Sequence, residues 1–232
     1  MALLFLVRHG QASFGSADYD RLSDLGRQQS RWLGEYFAER GVQLKRVVAG
    51  SLRRQQSTAA EILAAMQGVT PAIDTHAGLN EYNGEALYAA HTKGRDPLAH
   101  QQGDYRDYWR TLKAAMHAWA ADELTGVPET WADFGARTRA ALAVACAGLG
   151  REDNVLVVSS GGAISRALID IIGSPGATAV EFNLQFRNTG VCELIVGSDA
   201  ARPHVLPHFR LVTFNSLPHL EQPARRASIT FA

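Results

Sequence analysis

The chain has 232 residues, 46% of them hydrophobic and 20% charged, with Lys plus Arg and Asp plus Glu both totalling 23. That length suits one domain with a sizeable core, and the even charge gives no global electrostatic pull toward nucleic acid or an anionic membrane. The two cysteines, Cys146 and Cys192, make no disulfide framework and fit no metal motif, so buried free thiols in a reducing cytosol are expected.

Leu3–Val7 is a short continuous apolar run, the pattern of a strand buried on both faces of a parallel sheet. Even with Ala2 it is too short for a signal core or a membrane span and lacks a basic flank, so a cytoplasmic protein is expected. The run breaks at Arg8-His9-Gly10, and a polar loop through Asp18-Tyr19-Asp20 leads to Ser23. Ser23 reads as the N-cap of a helix carrying Leu25, Trp32, Leu33, Tyr36 and Phe37, which Gly41 stops. Arg46–Ala49 is a second buried strand, and after Gly50-Ser51 a helix carries Ala59, Ile62, Leu63 and Met66.

From Gly84 to Gly103 the periodicity disappears, which predicts a cap-like excursion at about residues 83–130 from a single domain spanning 1–232. Tyr105, Tyr108, Trp109, Leu112, Met116 and Trp119 recur at helical spacing, a stripe better read as core than as a ligand box. Glu129–Leu149 is a further amphipathic helix. Val155–Val158 is a third buried strand, followed by Ser159-Ser160-Gly161-Gly162 and a helix to Ile172, stopped by Gly173. Late strands are predicted at Val191–Val196 and Phe209–Phe214, and the last ten or so residues, patternless, are expected to be loosely held. The alternation of strands and helices predicts an α/β layered fold with a mainly parallel sheet.

Ligands of such sheets bind beyond the carboxyl ends of the strands, so three strand ends carry the interest. There is no phosphate-binding G-x-x-x-x-G-K-[ST] loop, no H-E-x-x-H, and no G-x-S-x-G elbow. Neither cysteine has an arginine six positions on, and Pro207 argues against a helix that would align His204 with His208. Asp18-Tyr19-Asp20 follows no strand and is read as solvated loop. These absences leave metal-dependent hydrolysis with little support.

Arg8-His9-Gly10 ends the first strand. A histidine there can present a neutral ring nitrogen to an electrophile, the arginine offers a fork suited to phosphate oxygens, and Gly10 lets backbone approach an anion. Alone, the tripeptide is outweighed by the reading of an ordinary surface or capping histidine. Of Arg53 and Arg54, either can face the same anion, or both can be solvated residues of a helix start. Glu81, in Leu79-Asn80-Glu81, can be a strand-end carboxylate after Ala72–Ile73 or plain surface charge.

Taken in order, these segments resemble the histidine phosphatase (phosphoglycerate mutase-like) superfamily. The resemblance rests on Leu4-Phe5-Leu6-Val7-Arg8-His9-Gly10-Gln11, Leu22-Ser23-Asp24-Leu25-Gly26, and Ser51-Leu52-Arg53-Arg54-Gln55-Gln56-Ser57-Thr58. It continues through Leu79-Asn80-Glu81, Glu129-Thr130-Trp131-Ala132-Asp133-Phe134 and Asn215-Ser216-Leu217-Pro218-His219-Leu220, covering about residues 3–220. It implies a three-layer sandwich, with helices on both faces of a mainly parallel sheet, and a cofactor-independent phosphatase acting on a small phosphomonoester and releasing inorganic phosphate. In that scheme His9 is the nucleophile, Arg8 and Arg54 hold the phosphoryl oxygens, and Glu81 is the proton donor and acceptor. The resemblance prefers Arg54 to Arg53 because it stands four residues before Thr58, as the family's arginine does.

One position departs from the pattern. The family's second histidine falls on Ser160, beside Gly161, and both residues are carried as phosphate-binding. The hydroxyl can serve the anion as a donor or can simply cap the following helix, while His76, His91 and His100 are other sources of a ring. An inactive relative that binds a phosphorylated ligand or partner, and a mutase, are the alternatives to an active phosphatase.

Overall fold

The computed structural model describes residues 1–13, 20–68, 70–93, 105–197 and 208–231. Asp18, Tyr19, His100, His204 and the part of the excursion spanning 94–104 therefore lie outside the described residues. In chain order the elements are β1 (Ala2–Arg8), α1 (Asp24–Glu39), β2 (Leu44–Ala49), α2 (Arg53–Met66), β3 (Ile73–Thr75), α3 (Gly84–His91) and α4 (Tyr105–Ala120). They continue with α5 (Trp131–Cys146), β4 (Asn154–Ser159), α6 (Gly161–Ile172), α7 (Gly176–Gln185), β5 (Val191–Gly197) and β6 (His208–Ser216).

The sheet order is β3-β2-β4-β1-β5-β6. β1, β2, β3 and β4 pair in parallel, whereas β5 runs antiparallel to β1 and β6 antiparallel to β5. The sheet is thus mixed, with its parallel half carrying the strand ends picked out above. β1 alternates between two buried faces, which is why it reads as an unbroken apolar run. Leu4 and Leu6 face a core with Val155, Val157, Leu142 and Leu168, on the side of α5 and α6. Phe5 and Val7 face Leu33, Phe37, Ile62 and Leu156, on the side of α1 and α2. Helices therefore cover both faces.

A third cluster joins α3, α4, α5 and α7 through Tyr88, Leu112, Met116, Trp119, Phe134 and Val180. Tyr108, Leu112, Met116 and Trp119 are buried and Trp109 packs half-buried against the same cluster, so these residues of the aromatic stripe are core. The cavity between Tyr82, Trp119, Trp131 and Asn183 has a volume of about 10 Å³, room for one water at most.

Three expectations need correction. The region after Gly84 begins with a helix, α3, capped by Asn83 Oδ1 on the Ala86 N–H and burying only Leu87 and Tyr88, too little to show as periodicity. α7 escaped notice for the same reason, since it buries only Ala179 and Val180. The C-terminal residues are held: the Thr230 carbonyl accepts from the Asn188 N–H at 3.0 Å, and Gln29 Nε2 donates to the Ser228 carbonyl at 2.7 Å. Caps and stops behave as predicted at Ser23, whose Oγ accepts from the Gly26 N–H, and at Gly173, which ends α6 with φ +68°. Among the described residues no helix is long and apolar enough to cross a membrane. Cys146 and Cys192 are free and buried, and burial pushes both thiols up to about 12.

Candidate active site

The parallel register sets Arg8 opposite Ser159, and the His9 N–H donates to the Ser159 carbonyl at 2.9 Å, so the ends of β1 and β4 are fixed together. From the other side, the Gly10 N–H donates to Thr58 Oγ1 at 3.0 Å, and Thr58 Oγ1 donates to the Arg54 carbonyl at 2.7 Å. Those two bonds tie the loop after β1 to the first turn of α2. Gly10 is required by packing rather than by approach to an anion: a Cβ there would lie 2.4 Å from the Gly26 carbonyl oxygen of α1.

His9 is 4% exposed and both its ring nitrogens are engaged. Nδ1 lies 2.7 Å from the Gly10 carbonyl, and Arg54 Nε donates to Nε2 at 3.1 Å. A carbonyl can only accept and a guanidinium can only donate, so the proton sits on Nδ1 and Nε2 carries the lone pair. Burial first, then the charges of Arg8 and Arg54, hold the ring well below the usual histidine value, against a smaller opposing pull from the Gly10 carbonyl. The imidazole is therefore neutral, with its bare nitrogen toward a cation.

Arg8 and Arg54 are both buried. Arg8 donates to the Phe186 carbonyl, and Arg54 Nη1 binds Asp20 Oδ1 at 2.7 Å. Asp20 also accepts from the Arg53 N–H at 2.8 Å, so its carboxylate clamps the start of α2 and aims Arg54. It is half-buried rather than solvated loop, and a lone Asp in a polar stretch gave no sign of this.

Glu81 approaches from the β3 side. Its Oε2 accepts from the Gly162 N–H at 3.0 Å, at the N-terminus of α6. A Cβ on Gly162 would come within 2.3 Å of Glu81 Oε1, so only glycine admits the carboxylate. The segment is anchored by Arg137, which donates to the carbonyls of Gly78 at 2.9 Å and Asn80 at 2.7 Å while binding Glu129 Oε2 at 2.9 Å. Asn80 in turn bonds Ser51 in both directions, Nδ2 to Oγ at 2.7 Å and Oδ1 from the N–H at 2.8 Å.

Ser160 is fully buried at the mouth of α6. Its carbonyl accepts the first helical bond, from the Ile164 N–H, but its hydroxyl caps nothing. Of the two roles read for that hydroxyl, the helix cap is absent, and Gln55 Nε2 donates to Ser160 Oγ at 2.8 Å. Gly161 follows, close enough to Arg8 that a Cβ on it would lie 3.6 Å from Nε. His76 Nδ1 accepts from the Gly78 N–H within its own turn, His91 is exposed at the end of α3, and His208 opens β6. The site thus joins Arg8, His9, Arg54, Glu81, Ser160 and Gly161 by backbone and side-chain links, with Asp20, Gln55 and Arg137 as unforeseen supports. Two guanidiniums beside a neutral imidazole and a separate carboxylate make an arrangement that can bind a phosphoryl group.

The family model of the histidine phosphatase superfamily (branch 1) matches residues 4–206. Among curated proteins none matches the chain. Among solved structures, Bacillus stearothermophilus YhfR aligns with a TM-score of 0.69 at 19% identity, covering 95% of this chain and 100% of that one. A mycobacterial glucosyl-3-phosphoglycerate phosphatase with inorganic phosphate aligns at 0.65 and 22% identity over 94% and 99% of the two chains. A mutant phosphoserine phosphatase from Entamoeba histolytica, in complex with phosphoserine, aligns at 0.64 and 19% identity over 95% and 100%. At these identities the structural likeness establishes the fold.

Proposed function

Because this chain belongs to the histidine phosphatase superfamily, we propose that it hydrolyses a small phosphomonoester through a phosphohistidine formed on Nε2 of His9. The observation that carries the reading is the fixed tautomer of His9, whose bare Nε2 faces Arg54 beside a second buried guanidinium, Arg8. Nε2 attacks phosphorus in line, the N–P bond forms, and the bond to the ester oxygen breaks. Protonated Glu81 gives its proton to the departing alkoxide. Water then attacks the phosphohistidine, Glu81 takes a proton from it, and the N–P bond breaks to release inorganic phosphate and restore neutral His9. Arg8 and Arg54 hold the equatorial oxygens, so catalysis is mostly positioning and charge stabilisation.

Ser160 stands where the family's second histidine is expected, and with Gly161 it forms the α6 side of the phosphate site. The segment 83–130 is assigned the role of a cap that selects the alcohol portion of the substrate, a role supported by Tyr82, whose ring lies against Gly162 and whose Oη donates to Met116 Sδ of that segment at 2.9 Å. The names of the phosphoserine and glucosyl-3-phosphoglycerate phosphatases of this fold support small phosphorylated metabolites as substrates. The two free thiols support a cytoplasmic location. The test is a phosphomonoester panel assayed for released phosphate on wild type and His9→Ala; wild type that turns over no member of a broad panel and traps no acid-labile phosphate would overturn the reading.

A further inference from the structure

Gln55 has no part in the scheme above, yet it is fully buried one residue beyond Arg54 and touches Ser160 directly. Its amide orientation is fixed by its partners. Nε2 donates to the Leu79 carbonyl at 3.0 Å, a group that can only accept, and Oε1 faces the Leu52 N–H at 3.4 Å. Both amide hydrogens are therefore committed, one to Leu79 and one to Ser160 Oγ. Ser160 Oγ must be the acceptor in that pair, which leaves its own hydrogen for another group. Among the described residues it donates to none. The chain neighbours of Ser160 and Gln55 are tied to the phosphoryl machinery. Ser159, next to it, binds the His9 N–H; Gly161, on its other side, abuts Arg8; Arg54, next to Gln55, binds His9 Nε2.

We propose that Gln55 is a positioning residue that turns the Ser160 hydroxyl into a dedicated hydrogen-bond donor to the transferring phosphoryl group. The inference rests on the phosphatase reading and deepens it. An amide–hydroxyl pair supplies the donor that an imidazole would otherwise supply, and it does so without a third positive charge beside Arg8 and Arg54. Unlike an imidazole, neither member titrates in the physiological range, so the donor is present at every working pH.

The test compares Ser160→Ala and Gln55→Glu with wild type, reading kcat and inhibition by vanadate across pH, with thermal melting alongside. Ser160→Ala leaves Gln55 bound to Leu79 and should lower both kcat and vanadate affinity by about 10- to 100-fold, the range for a hydrogen bond to a charged group. Gln55→Glu keeps the size but exchanges the donor for a carboxylate, which draws the Ser160 hydrogen to itself. Its loss should match that of Ser160→Ala near neutral pH and shrink toward acid pH, where a protonated carboxyl again donates. The double variant should be no worse than Ser160→Ala. Wild-type kcat and vanadate inhibition in a folded Ser160→Ala, while wild type turns over and His9→Ala does not, would overturn the inference and leave the phosphatase reading standing. A Gln55→Glu defect that is the same at every pH, with unchanged melting, would remove Gln55 from the role. Ser160→Ala decides the matter even if Gln55→Glu fails to fold.

Discussion

Arg54 Nε lies 3.1 Å from His9 Nε2, and this contact decides which ring nitrogen of the histidine is bare. With Nδ1–H spent on the Gly10 carbonyl, Nε2 is the one nucleophilic position His9 has. His9→Ala should therefore abolish turnover and eliminate acid-labile phosphoenzyme after a quench with labelled substrate. Retained turnover with a labelled intermediate in the variant would place the nucleophile elsewhere.

The two adjacent arginines should behave very differently. Arg54 is buried against His9 and clamped by Asp20, while Arg53 is exposed. Arg54→Ala should weaken inhibition by phosphate or vanadate by about 1.5–3 kcal/mol, the worth of a charge-assisted bond, and Arg53→Ala by a few tenths. Asp20→Asn should fall between them, since it loosens the guanidinium without removing it. Equal inhibition constants for the two arginine variants would refute this arrangement.

Why the arginine pair was legible, and its Asp20 clamp was not, is instructive. Arg54 lies at a fixed distance from a strand end and from Thr58, and strand ends are readable because β1, β2 and β4 are buried on both faces and so appear as apolar runs. The order of motifs then carried His9, Arg8 and Glu81 to one end of the sheet. Asp20, Gln55 and Arg137 act through contacts 33 to 105 residues away or with backbone carbonyls, and no local pattern marks such a contact; Gln55 and Ser160 are separated by 105 positions. The C-terminal residues were misjudged for a related reason. They dock through backbone and Gln29, Asn188 and Thr230 side chains rather than through an apolar stripe.

Two buried neutral histidines should make stability depend on pH. Burial and the charges of Arg8 and Arg54 hold His9 well below the usual value, and burial followed by Arg225 takes His219 from 6.5 to about 3. His219 Nε2 sits 2.8 Å from Thr189 Oγ1, whose own hydrogen goes to the Asn188 carbonyl, so Nε2 donates and Nδ1 is left bare. Protonating Nδ1 would bury an N–H with no acceptor. The unfolded chain thus binds more protons than the native one below pH 6.5, and stability is full above that pH and falls as pH drops toward the folded values. Each histidine contributes a slope of up to about 1.4 kcal/mol per pH unit in that window. Urea unfolding at pH 7, 6 and 5 should show the decline, and His219→Gln should flatten it; a profile flat from pH 7 to 5 would contradict the buried neutral state.

Glu81→Gln keeps an acceptor for the Gly162 N–H but removes the transferable proton. A general acid matters most when the departing oxygen is basic, so alkyl phosphates should slow by about 10²–10⁴-fold. An activated aryl phosphate, whose phenolate leaves unaided, should lose far less in the first step. The measurement is kcat/KM against leaving-group pKa, which should steepen in the variant. An equal loss along the whole series would assign the proton to another residue.

Placing a histidine at Ser160 should fail alone and succeed in company. Ser160 is fully buried, and Gln55 Nε2 stands 2.8 Å from its Oγ, in the direction a larger side chain must grow. An imidazole there forces the amide out of its bond to the Leu79 carbonyl or distorts the first turn of α6. Overpacking of this kind costs about 1–3 kcal/mol, so Ser160→His should lower both the melting temperature and the turnover rate. Gln55→Ala removes the obstructing amide but leaves the Ser160 hydroxyl unoriented, so it too should be slower than wild type. Combining the two makes room for the ring beside Arg8 and Arg54, where it can donate to the phosphoryl oxygens. The double variant should then be more active than either single one, an interaction of opposite sign to its parts and well beyond the additivity expected of independent sites. It should also acquire a new ionisation in its pH–rate profile, because the introduced imidazole titrates and the wild-type pair does not. Thermal melts and pH profiles of all four proteins check this, and a Ser160→His protein as stable and active as wild type would show that Gln55 does not hold that space.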